Sequence, residues 1–204
     1  MIAGARAAES GSAPSVEAKG GGKQRRTARR RPIRIGAVVA IALSAGLAVW
    51  LIAGDSGVEE RPGAIAAHAA SAAEIEELAG SLDHPLYWAG PLRNMTYELT
   101  RTESGRVYVR YLPRGVPIGS RDPDYLTIGT YPQANGYAAV QAAGTEPGAT
   151  SRRLSGGALV VYNSDRPRSV YFSFPEAPFQ VEVFDPRPRR ARDLTQSGTI
   201  QRVG

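Results

Sequence analysis

The 204-residue chain has no cysteine, only two histidines, His68 and His84, and no lysine beyond Lys23. Without a thiol there can be no disulfide scaffold, thiolate zinc site, iron–sulfur cluster or cysteine nucleophile. Two histidines are too few for a His-rich metal site. No aromatic residue precedes Trp50, so the N-terminal segment has nothing on which a nucleic-acid base could stack. The nucleophile elbow G-x-S-x-G is absent. We read the Gly-rich piece Leu154-Ser155-Gly156-Gly157 as neither following a strand nor opening a helix, as a phosphate-binding loop must.

What is present in excess is positive charge, +6 overall, and it is unevenly placed. Residues 1–34 hold nine basic side chains against Glu9 and Glu17, whereas the 150 residues after position 54 carry sixteen arginines against seventeen acids. The excess therefore belongs to the tail. That tail is rich in Ala, Gly, Ser and Pro and has no apolar period, a composition that cannot offset chain entropy, so we expect residues 1–34 to be disordered. Nucleic-acid binding by its arginines is the weaker reading, because a folded reading element and stacking residues are both missing.

Residues 35–54 carry no charge, and the run Ile35 to Ala53 has Ser44 as its one polar side chain. At the helical rise, nineteen residues span roughly 28 Å, close to the hydrocarbon thickness of a bilayer. Arg25, Arg26, Arg29, Arg30, Arg31 and Arg34 lie just before it, and Asp55, Glu59 and Glu60 just after. This asymmetry places the N-terminus in the cytoplasm and the C-terminal part outside, with those arginines against anionic headgroups. The run exceeds the ~7–15 residues of a signal-peptide core. Small-x-small sites, Ala64-Ile65-Ala66 and Ala67-His68-Ala69, occur only well beyond it. We read it as an uncleaved transmembrane anchor, followed by a connector over 55–70.

From residue 71 onward the patterning is that of a globular domain. Ser71 and Glu74 have capping-box spacing, and Ile75, Leu78, Ala79 and Leu82 form one apolar stripe, predicting a helix that ends near Leu82. Alternation then takes over. Two alternating runs, MTYELTRT at 95–102 and GRVYVRYL at 105–112, meet at Glu103-Ser104-Gly105 as a hairpin. A Pro/Gly-rich loop over 113–123 leads to a strand at 125–130 and a helix at 132–143. The stretch 145–157 reads as low complexity. Strands at 157–162, 168–174 and 179–184, joined by short turns, read as a meander. A short helix at 188–195 and a strand at 199–203 end the order. Short links and mixed order predict an α+β domain over 71–204, its helices gathered on one face of a mainly antiparallel sheet.

Chemistry is harder to place. His84 follows Asp83 and precedes Pro85, Tyr87 and Trp88, but sequence neighbours rarely aim at one another and no nucleophile can be named. Asp122 and Asp124 flank Pro123 in a loop, too few oxygens for a calcium loop. The hairpin alternation puts Val107, Val109 and Tyr111 inward and sets Tyr108 and Arg110 on the other face, where they could form a peptide- or glycan-binding platform. The candidate binding surface is therefore His84, Tyr87, Trp88, Tyr108, Arg110, Asp122 and Asp124, with no catalytic residue, metal or cofactor expected. An envelope protein or glycan is the expected partner besides the bilayer, and a carboxylate-based envelope hydrolase is the alternative.

The runs HPLYWAGP at 84–91, YELTRT, GRVYVRYLP, YLTIGTYP and VEVFDP resemble membrane-anchored extracytoplasmic proteins of high-GC actinobacteria. The likeness covers roughly 71–204. That family has no assigned activity, so the resemblance implies location and architecture and transfers no site residue.

Overall fold

The structure, a computed structural model, describes residues 64–204. The basic tail, the expected membrane span at 35–54 and the first part of the expected connector lie outside these residues. No helix among the described residues is long and apolar enough to cross a membrane.

The connector ends sooner than expected, because Ile65–Ala70 forms an edge strand, β1. Ser71 then caps helix α1, Ala72–Ser81: its hydroxyl accepts the Glu74 N–H while the Glu74 carboxylate accepts the Ser71 N–H. Those bonds, backbone first, hold the Glu74 carboxyl below its usual pKa. After a short strand β2, Tyr87–Trp88, come β3, Met95–Arg101, β4, Val107–Pro113, and β5, Thr127–Pro132. The β3–β4 turn has Gly105 at φ 77°, a left-handed position that glycine takes without strain. Helix α2, Gly136–Ala143, precedes β6, Ala149–Arg153, β7, Leu159–Asn163, β8, Arg166–Ser173, and β9, Phe179–Phe184. Helix α3, Arg190–Gln196, and β10, Gln201–Arg202, complete the order.

Eight strands form one antiparallel sheet in the order β1-β3-β4-β5-β9-β8-β7-β6. Two meanders start at opposite edges and meet at the centre, where β5 and β9 pair over six residues from Thr127↔Phe184 to Pro132↔Phe179. The strand missed at β6 falls in the stretch read as low complexity. As a polar edge strand it buries no face, and so shows no alternation.

One face of the sheet carries the main core. Leu99, Val109, Ile128, Val183 and Val170 lie in one row, with Val107, Val181, Phe172 and Val160 beside them. Ile75 and Leu78 of α1, Ala191 of α3 and the segment 86–89 cover it. Tyr87 packs edge-on to Phe172 at 5.3 Å. Tyr111 accepts the Ala89 N–H at 2.7 Å and donates to the Gly90 carbonyl at 3.2 Å, strapping that segment down. Two-stranded pairing of β2 with β10 ties the C-terminus to it.

The helices do not share one face, as the sequence suggested. Val140 and Ala143 of α2 pack on Leu159, Val161 and Tyr171, which point away from the main core. The reason lies in β7 and β8, where Leu159–Val161 and Val170–Phe172 are apolar or aromatic at successive positions, so both faces need cover.

Candidate functional site

The second face is where polar residues concentrate, and on its central strands β4, β5 and β9 they are buried. It has two centres. The first is an ion pair across β3 and β4, where Glu98 and Arg110 are register partners. Arg110 Nη1 donates to Glu98 Oε1 at 2.6 Å. The same guanidinium donates to the carbonyls of Ser120 and Asp122 at 2.9 and 2.8 Å, while Glu98 Oε2 accepts the Gly119 N–H at 2.5 Å. Tyr125 lies against the guanidinium, 5.4 Å from ring centroid to carbon. One buried pair thus staples the Pro/Gly-rich loop onto the sheet and satisfies backbone groups that the loop cannot satisfy itself.

The second centre is Glu182, on the middle strand β9 and only 2 % exposed. Its Oε2 accepts from Tyr131 at 2.7 Å, and its Oε1 accepts from Ser169 at 2.9 Å and Tyr171 at 3.0 Å. Gly129, its partner on β5, makes this possible. A Cβ there would sit 2.6 Å from the Tyr131 hydroxyl oxygen and 2.8 Å from Cζ, so only glycine lets the ring lie across the strand to reach the carboxylate. Burial raises the Glu182 pKa, outweighing the three hydroxyl donors that lower it. Burial, and then the Glu182 charge, hold the Tyr131 and Tyr171 hydroxyls well above the usual tyrosine pKa. The centre is a buried carboxyl group whose two oxygens are already engaged by three hydroxyls of the domain.

Beside it lies a shallow cleft lined in part by Glu146, Asn163, Arg166, Ser169 and Tyr171, with room for about one water molecule. Arg166 bonds to Glu146 across its mouth. Among the described residues, no group of three or more His, Asp or Glu gathers as a metal site would require.

The seven residues singled out from the sequence do not share a surface. His84 is buried and its Nδ1 contacts the Pro85 carbonyl at 3.1 Å. Tyr87 and Trp88 lie in the main core on the first face. Tyr108 and Arg110 do sit on the face opposite Val107 and Val109, as alternation says, but each is 1 % exposed. The platform expected there is covered, by the loop over Arg110 and by the packing of Tyr108 against Tyr131 and Phe184. Asp122 and Asp124 are exposed, and the Asp122 carboxylate accepts the Asp124 N–H at 3.0 Å, a turn role. Sequence reasoning missed Glu182, Tyr131, Tyr171 and Ser169. Glu182 alternates with Val181 and Val183 like a solvent-facing residue, and only the cover over its face reverses that meaning.

No family model, curated protein or solved structure matches the chain.

Proposed function

We propose that the chain is a single-pass membrane protein that displays its α+β domain outside the plasma membrane as a non-enzymatic binding or accessory module. The observation that carries this reading is the charge division about an uncharged nineteen-residue run, with six arginines before it and three acids after it. Nineteen residues at the helical rise would match the bilayer, and arginines against anionic headgroups would add about 1 kcal/mol each near the surface.

The geometry of residues 64–204 supports a module rather than a hydrolase. Glu98 and Glu182 are the carboxylates at the centre of the fold, and hydrogen-bond donors within the domain already occupy both. A carboxylate hydrolase needs two such groups facing a substrate-sized space, whereas the cleft beside Glu182 has room for about one water molecule.

Protease added to intact spheroplasts tests the orientation. Residues 64–204 should be degraded or released only from outside, while the basic tail is cut only after lysis. Protection of the C-terminal domain in intact spheroplasts would overturn the reading.

A further inference from the structure

A sheet that does not close leaves a row of unpaired N–H and C=O groups on each outer strand, and proteins blunt such rows with bulges, charge or cover. The two edges here differ. On β1 the register with β3 shifts between Ile65 and His68, an irregularity of the bulge type that turns an edge away from an incoming strand. On β6 the pairing with β7 is regular through five residues, from Ala149↔Asn163 to Arg153↔Leu159, and Thr150, Ser151, Arg152 and Arg153 are all exposed.

Flanking hydrogen bonds fix which backbone groups are open. Leu154 N–H donates to the Ala158 carbonyl at 3.0 Å, and Ser164 N–H donates to the Gly148 carbonyl at 3.0 Å. In an antiparallel ladder the bonded residues alternate, so positions 148, 150, 152 and 154 face β7, and Ser151 and Arg153 turn N–H and C=O outward. Ala149 N–H is engaged by the Glu146 carbonyl. The open donors of the edge are therefore the Ser151 and Arg153 amides.

The side chains say what can add there. The strand, ATSRR, has two arginines and no acid. Arg153 lies 5.9 Å over the Tyr137 ring on the α2 side of the sheet, and Arg152, one position earlier, projects from the other side. Neither takes part in an ion pair among the described residues. A second copy docking antiparallel by the same edge would bring four guanidinium groups and no carboxylate of the strand to one joint, an uncompensated like-charge contact. A segment with two adjacent acidic residues would meet one arginine on each face.

We infer that β6 is a docking edge at which an extended protein segment carrying two adjacent acidic side chains adds as a ninth strand. The inference rests on reading the domain as a binding module and is independent of which side of a membrane it occupies.

The test uses the full chain in detergent micelles and a dye-labelled peptide of alternating Thr and Val with a central Glu-Glu pair. A second peptide carries Lys-Lys in that place. The Glu-Glu peptide should bind and slow amide exchange at Ser151 and Arg153, and the Lys-Lys peptide should do neither. Arg152→Glu with Arg153→Glu should weaken the Glu-Glu peptide by about tenfold, as reversal of two cross-strand charge pairs predicts, and favour the Lys-Lys peptide. Ser151→Pro removes an outward N–H without touching the β7 pairing, so it should abolish binding of the Glu-Glu peptide while the sheet persists. Unchanged binding in either variant, or no slowing of exchange at Ser151 and Arg153, would overturn the inference. The orientation experiment above would stand in either case.

Discussion

Arg110 shows how much one side chain can organise. It pairs with Glu98, donates to two loop carbonyls and lies against Tyr125. Arg110→Ala should lower stability by about 3–5 kcal/mol, because it leaves Glu98 buried without its cation. Glu98→Leu with Arg110→Met should recover most of that in a urea titration. The 113–126 loop would still exchange its amide hydrogens quickly, since its carbonyls at 120 and 122 have lost their donor. Glu182 makes the opposite kind of claim, one about protons. Its folded pKa lies above the usual 4.5 because of burial, so the folded protein holds this proton more tightly than the unfolded chain. Its contribution is then fully favourable below about pH 4.5 and is lost as the pH rises through the folded value. Tyr131, Tyr171 and Ser169 face it, and the Arg166 charge opposes the shift. Glu182→Gln should flatten the fall in stability between pH 4.5 and neutrality, read as the urea midpoint against pH. An identical slope in both proteins would contradict the buried-carboxyl account.

At the scale of elements, close approach decides where α2 sits. A Cβ on Gly136 would lie 2.1 Å from the Phe179 carbonyl oxygen and 2.4 Å from its carbon, backbone atoms that cannot swing aside. Gly136→Ala should therefore lift the start of α2 from β9 and cost about 3 kcal/mol, at the upper end of overpacking effects. Thermal unfolding would report it, together with faster amide exchange at Val140 and Ala143. Local chemistry made several elements legible in advance. The capping box fixed the start of α1, the Glu103–Gly105 turn fixed the β3–β4 hairpin, and β9 occupies the residues its alternation marks, 179–184. What stayed hidden has physical causes. The edge strand β1 is built largely of alanine and β6 largely of polar residues, so neither shows a buried stripe. The β5–β9 join links strands about fifty residues apart, and no turn encodes it. The candidate site was read least well, because Tyr108, Arg110 and Glu182 look solvent-facing by period, and their burial depends on a loop and a helix placed from elsewhere in the chain.

Taken whole, the sequence divides into a basic segment, an apolar run and a nearly neutral domain. Among the described residues, β6 presents an exposed, regularly paired edge, which is consistent with recognition by backbone addition there. The central claim remains the orientation about the membrane, and the lack of any native cysteine makes a clean measurement available. A single cysteine at Ser104, exposed in the β3–β4 turn, is compared with one at Ser15 in the basic tail, using a membrane-impermeant maleimide on intact spheroplasts. Labelling at position 104 before lysis, and at position 15 only after it, is the result predicted here; the reverse pattern, or equal labelling of both before lysis, would contradict it.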